Sequence, residues 1–179
     1  MLYQGTLSIN KNCDYNSPWV VTETYASMMT FVPYDDLLKC ALALDYRRLG
    51  KQRVEGYQLW RTLKGITHGW RNHPAAKMWE GHTCALALYT NVMILVWQWR
   101  GYKNTMKLLP HCPNPVFPPW WGWRPLILSH RASLNRKEPS FYDFKSTEYD
   151  EHGYIWPSKV PNEYRWVSDP PLEIVCADK

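Results

Sequence analysis

A largely helical, single-domain fold is what this 179-residue sequence predicts, and three observations predict it. Apolar residues recur at helical spacing after Thr30, in Leu38, Ala41, Leu42 and Leu49. The run from Pro74 to Gly101 is long and mostly apolar, as a central helix packed on several sides must be. Pro110, Pro113, Pro115, Pro118, Pro119 and Pro125 exclude both helix and central strand from the stretch they punctuate. The length suits one domain with appendages, long enough to bury a core without metal or disulfide support.

Residues 1–28 mix Asn, Ser and Thr with isolated aromatics and show no helical period, so they read as an extended or hairpin-like arm. Asp35 and Asp36 after Pro33 are start signals for a first helix. Its stripe takes in Asp45 and runs through Leu49, with Gly50 as a kink and a continuation from Lys51 to Leu63 that Gly65 stops. A loop leads to Pro74, which opens the central helix at its first turn, and Gly101 ends it. Ser129 is placed to cap a short last helix, after which Pro139 turns the chain. From Lys145 the chain is acidic and strand-poor. The expected division is therefore an arm over 1–28, a helical domain over 29–144 and a tail over 145–179 that packs on the domain.

The formal charge of +5 is unevenly spread. Residues 1–28 carry one Lys or Arg against two Asp or Glu, residues 145–179 carry four against seven, and residues 29–144 carry sixteen against seven. A compact segment with nine excess positive charges attracts polyanions, because neutralised phosphates release condensed counterions; a solvated basic surface is the plainer alternative. Eleven Trp and twelve Tyr add faces for base stacking, although large rings in a small domain are mostly core.

Other classes find less support. Cys13, Cys40, Cys84, Cys112 and Cys176 form no C-x-x-C pair, so reduced, mostly buried thiols of a cytoplasmic protein are expected. His82 with Cys84 and His111 with Cys112 lack a second ligand pair, and neither metal nor cofactor is expected. The N-terminus has no signal-peptide pattern, and the apolar run Cys84 to Trp99 is shorter than the roughly 20 residues of a membrane helix.

Three clusters carry chemistry. In DYRRLGKQRVE, Arg47, Lys51 and Glu55 advance by four and so share a helical stripe, with Asp45, Arg48 and Arg53 beside them. This is either a salt-bridged helix or a phosphate-binding surface holding a carboxylate for proton transfer or cation stabilisation. In RNHPAAKMWEGH, Arg71, Asn72 and His73 precede a helix start that favours phosphate, and His82 follows; packing or capping is the plainer role for each His. In HRASLNRKEPSFY, Arg131, Asn135, Arg136 and Lys137 can clasp a backbone while Phe141 and Tyr142 offer stacking faces, unless they form a solvated helix end.

With these blocks in view, the chain resembles the pyrimidine-dimer DNA glycosylase family, the phage endonuclease V type, in its bacterial and phage branch. The blocks are TFVPYDDL at 30–37, LDYRRLGKQRVE at 44–55, GWRNHPAAKMWEGH at 69–82, RGY at 100–102 and SHRASLNRKEPSFY at 129–142. The resemblance implies an all-α single domain, monomeric, cytoplasmic in a bacterial cell or phage-infected host, that binds and kinks double-stranded DNA and displaces a base. It further implies attack on the sugar C1′ by the α-amine of a threonine exposed at the N-terminus, with a glutamate stabilising the imine. Thr30 stands in the threonine position but is interior here, so lyase activity requires a chain that begins there. Arg48 stands where the family's glutamate stands, leaving Glu55 or Asp45 to replace it. The expected activity is removal of a damaged or modified pyrimidine, with Glu55, Asp45 and Thr30 as the catalytic candidates. A non-catalytic reader of distorted or modified DNA is the alternative, and a helical module binding some other acidic partner is a third.

Overall fold

The computed structural model describes residues 19–22, 28–145 and 154–157. Five helices form the body: α1 (Leu37–Ala43), α2 (Tyr46–Leu63), α3 (Pro74–Met78), α4 (Thr83–Trp99) and α5 (Arg124–Lys137). Strands β1 (Trp19–Thr22) and β2 (Tyr154–Pro157) pair antiparallel, with Trp19 opposite Pro157 and Thr22 opposite Tyr154. The all-α reading of the body holds, while the tail, read as strand-poor, supplies a strand that pairs with the arm.

Helix α4 is the central element, and α2 packs along it. Leu86, Tyr89 and Met93 of α4 share one buried cluster with Leu49 and Leu59 of α2 and Leu126 and Leu134 of α5. Glycine sets the closeness of the α2–α4 crossing. A Cβ on Gly50 would stand 2.8 Å from Trp97 Cζ3, and one on Gly56 would stand 2.5 Å from Thr90 Oγ1. Such contacts force a shift of the neighbour, so Gly50 serves packing. It is not the expected kink.

The break falls earlier, at Leu44 and Asp45. Asp36 caps α1 by accepting from the Lys39 N–H. Asp45 does the same for α2, accepting from Arg47 and Arg48 N–H at 2.8 and 3.1 Å. A carboxylate that satisfies two orphan amides stabilises a new helix start more than continuation of the old helix would. The second predicted helix is divided too: Gly81, with φ +82°, turns the chain between α3 and α4. Glu80 and His82 therefore lie in a turn. Helix α5 begins at Arg124, with Pro125 in its first turn, and Ser129 is buried inside it rather than capping it.

The proline-rich stretch has no helix or strand through Trp123, as expected, but its last two residues, Arg124 and Pro125, open α5, because proline fits a first turn; the rest is pinned by tryptophans and a disulfide. Trp120 Nε1 donates to the Met78 carbonyl at 2.6 Å, and Trp121 Nε1 to that of Asp35 at 2.9 Å. Cys84 and Cys112 are bonded, with Cα atoms 5.6 Å apart, which corrects the expectation of reduced thiols for this pair. Cys40 is free and buried, and Cys13 and Cys176 lie outside the described residues. No helix among the described residues is long and apolar enough to cross a membrane.

Candidate active site

One pocket gathers a carboxylate and four cations. Of about 230 Å³, it is lined by Arg47, Arg48, Lys51 and Glu55 of α2, Lys137 of α5, Met29 and Phe31 of the lead-in segment, and Tyr154 of β2. A larger groove of about 650 Å³, bordered by Tyr57, Arg61, Trp70 and Lys107, has no carboxylate in its lining and so lacks an acid or base for bond cleavage.

Glu55 is held on three sides. Lys51 Nζ lies 3.4 Å from Oε1, one helical turn away, and Gln52 Nε2 donates to Oε2 at 3.1 Å. The Met29 backbone N–H is the third partner. Gln52 is itself fixed, because its Oε1 accepts from the Phe31 N–H at 2.8 Å. The Tyr89 hydroxyl sits 2.7 Å from that Oε1 and 2.9 Å from the Phe31 carbonyl, with one hydrogen to give to either. Burial pushes the Glu55 carboxyl up to about 7, against the opposing pull of Lys51, the Met29 N–H and Gln52. A carboxyl set there exchanges a proton near neutral pH.

Asp45 ends differently. Besides capping α2, its carboxylate accepts hydrogen bonds from the Tyr142 hydroxyl and the Arg48 guanidinium, the latter at 3.1 Å. Burial works to raise its pKa, yet these donors outweigh it and the carboxyl lies below its ordinary value. Every strong interaction of Asp45 is structural, and it does not line the pocket.

The lead-in segment alternates sides, as extended chain does. Met29 and Phe31 face the pocket, while Thr30 between them is fully buried and accepts from Trp79 Nε1 at 2.8 Å. The backbone nitrogen on Glu55 is thus that of Met29.

The other expected contacts divide. Arg48 lines the pocket but is bound to Asp45, to Glu138 at 3.3 Å and to the Lys137 carbonyl at 2.9 Å. Arg53 donates to Asn104 at 2.9 Å and lies 4.4 Å over the Trp97 ring. Arg131 donates to the Pro33 carbonyl and covers Tyr34, and the Asn135 amide is taken by the Phe144 backbone. Arg71 and Asn72 are exposed on the turn before α3, away from the pocket, and Arg136 is exposed on α5. His73 caps the five-residue α3 by accepting from Ala75 N–H, so that helix start serves its own cap and is too short to hold phosphate. His82 Nδ1 meets the Val116 carbonyl at 3.0 Å and anchors the proline-rich stretch. Tyr142, expected as a stacking face, is buried, since Asp45 claims its hydroxyl and Phe144 stacks on its ring. Its neighbour Phe141 is the exposed one, at 56%.

Sequence reasoning missed Met29, Phe31 and Tyr154. For the first two a signal existed, in the alternation about Thr30. For Tyr154 none did, because a strand of the tail reaches the pocket only through tertiary packing.

A helical body with a proton-exchanging carboxylate in a cation-rimmed pocket defines a class of protein suited to chemistry on a polyanion. Residues 28–109 match the family described as pyrimidine dimer DNA glycosylase. That segment is similar to this family, and it contains Glu55 and the three α2 cations. Neither the curated proteins nor the solved structures gave a match. Lys137 and Tyr154 come from outside the matched segment.

Proposed function

We propose that the protein is a DNA glycosylase that removes a damaged or modified pyrimidine from double-stranded DNA, with Glu55 as its acid–base group. The observation that carries this reading is Glu55 itself: buried, raised to about 7, and set among Arg47, Lys51 and Lys137 in a pocket of about 230 Å³, where an extruded base would meet it. The cations hold the phosphates that flank the target. With the base in the pocket, the C1′–N bond breaks and the departing base carries away the electron pair. The ionised carboxylate faces the positive charge that develops on the sugar, and it takes a proton from the water that attacks C1′. Asp45 serves as the cap that starts α2 and thereby places Glu55.

A lyase step needs an amine beside C1′, and the Met29 nitrogen is an amide while residues precede it. A chain beginning at Met29 would put its α-amine on Glu55; one beginning at Thr30 would leave that nitrogen one residue away. The protein acts as a monomer on this reading.

The test is base release from duplexes carrying pyrimidine dimers, oxidised pyrimidines or hypermodified pyrimidines, measured with and without alkaline cleavage. Release from at least one, lost in Glu55→Gln, is the expected result. Duplex affinity should fall steeply between low and moderate salt, with a slope of about 0.9 per phosphate contacted. Binding without release across the whole panel would favour a non-catalytic reader of altered DNA.

A further inference from the structure

We propose that Gln52 is the positioning residue of the site: its side-chain amide is held in one orientation, with the NH2 group on Glu55, and so fixes that carboxylate and favours its ionised form. The inference rests on the glycosylase reading and deepens it, because that reading names the acid–base group without saying what keeps it in place.

Gln52 and Glu55 lie three apart on α2 and share a face, and Gln52 is 0% exposed. Its amide has two ends of opposite character, an acceptor oxygen and a donor NH2 group. The Phe31 backbone N–H can only donate, so the atom 2.8 Å from it is Oε1, and Nε2 is left to face Glu55 Oε2 at 3.1 Å. Turned over, the amide would set donor against donor at Phe31 and acceptor against acceptor at Glu55. Buried polar groups deprived of partners are costly, so the orientation is locked. The Tyr89 hydroxyl, 2.7 Å from Oε1, suits the same orientation, since that oxygen can accept its hydrogen.

The other donors on Glu55 do not hold it independently. Lys51 Nζ pairs with Oε1, but its side chain is 54% exposed and an incoming phosphate competes for it. The Met29 N–H belongs to the lead-in segment, and Gln52 holds that segment two residues later, through the Phe31 N–H. Gln52 thus fastens the acid directly and also through the stretch of chain that carries its backbone donor. A donor on the ionised carboxylate favours that form and opposes burial, which raises the carboxyl. A base must also be held within reach of the water it deprotonates, and a buried, singly oriented amide supplies that constraint.

The charged and titratable groups around Glu55 are Arg47, Arg48 and Lys51 of α2, Lys137 of α5, Tyr154 of β2 and, behind Gln52, Tyr89 of α4. Burial raises both tyrosines, which therefore stay neutral through the range in which Glu55 titrates. A substitution at Gln52 leaves all of these side chains present. A change in the Glu55 midpoint then reports the lost amide.

Gln52→Met keeps the length of the side chain and removes its donor. The Glu55 carboxyl carbon, followed by NMR in the full-length chain and assigned by its absence in Glu55→Gln, should titrate about 1 pH unit higher in Gln52→Met than in wild type, because a hydrogen bond to a charged group is lost. The rise of base release with pH should move by the same amount, leaving the variant roughly tenfold slower below pH 7 and close to wild type by about pH 9. A Gln52 that only fills space would slow release at every pH and leave both midpoints in place, which overturns the proposal. Tyr89→Phe is the comparison: it removes a buried hydrogen bond from the same cluster and leaves Gln52 Nε2 on Glu55, so the melting temperature should fall while the Glu55 midpoint stays. A midpoint that moves as far in Tyr89→Phe as in Gln52→Met overturns the proposal too. Should Gln52→Met fail to fold, the wild type decides, since its Gln52 NH2 resonances should titrate with the Glu55 midpoint; resonances indifferent to that ionisation overturn the proposal. The carboxyl titration needs no turnover. A shifted midpoint without release from any duplex upholds the hold of Gln52 on Glu55 and defeats the glycosylase reading, whereas release with an unmoved midpoint does the reverse.

Discussion

Asp45 and Glu55 stand ten residues apart, at the start and in the middle of α2, and both are nearly inaccessible, at 6% and 4% exposure. Their ionisation nevertheless moves in opposite directions. At the helix start two free amides, a tyrosine hydroxyl and a guanidinium converge on one carboxylate, and they outweigh burial. In the middle of the helix every amide is spent on the ladder, more protein surrounds the carboxylate, and the few remaining donors do not offset its desolvation. Similar exposure therefore does not mean similar chemistry. The donors within reach decide which acid stays a cap and which can exchange a proton.

The sharpest way to break this contrast is Glu55→Gln. It should lower base release by about 100- to 10,000-fold while the melting temperature stays level or rises, because the amide removes a carboxylate that burial disfavours. Paired rate and melting measurements check it, and retained activity would end the case for Glu55. Asp45→Ala should do the reverse, costing about 2–4 kcal/mol through the lost cap and charge-assisted hydrogen bonds, as read from denaturant unfolding. Base release per folded molecule should change far less than in Glu55→Gln. A large loss of release with stability intact would exchange the two roles.

The pH dependence of stability should carry both signs. The folded Glu55 pKa is raised from 4.5 to about 7, so the folded state holds the extra proton between those values. Stability from this group is present below about 4.5 and falls as pH rises through 7, by up to ~3 kcal/mol. Asp45 is depressed below 3.8, so its contribution is present above that value and is lost as pH falls through the lower folded pKa. Unfolding curves of wild type, Glu55→Gln and Asp45→Asn between pH 3 and 8 should assign each slope to its residue. Base release should rise through about pH 7 as Glu55 ionises.

The smallest effects separate the adjacent arginines. Arg47→Ala should leave stability nearly unchanged and reduce the salt slope of duplex binding by about 1, since its guanidinium is tied only to the exposed hydroxyl of neighbouring Tyr46 among the described residues and keeps donors for a phosphate. Arg48→Ala should cost about 1–2 kcal/mol, because it strips a hydrogen bond from buried Asp45 and another from the end of α5. Equal behaviour of the two would blur the line between a DNA contact and an internal tie.

Local order along the chain was legible where a single element carries the signal. The period-four spacing of Arg47, Lys51 and Glu55 needs only a helix to become one stripe, and α2 supplies it. Pro74 at a helix start and Gly65 after a helix end behave as their backbone preferences require. Competition between signals was harder to read. Asp45 fits both an apolar stripe and a cap, and only the Tyr142 hydroxyl and Arg48 on its carboxylate show which use prevailed. The long apolar run concealed a turn at Gly81, because hydropathy reports burial and not direction.

What the sequence by itself determined is thus the helical body, the basic middle, and a carboxylate placed among cations on α2. The tertiary structure alone decided which acid meets a pocket, which tyrosine is spent on the core, and which lysine from α5 stands beside Glu55. Those outcomes depend on contacts across about 80 to 100 residues of chain, such as Arg48 on the Lys137 carbonyl and Tyr142 on Asp45, 89 and 97 positions apart. Spacing along one helix says which residues share a face, and carries no information about what that face will meet.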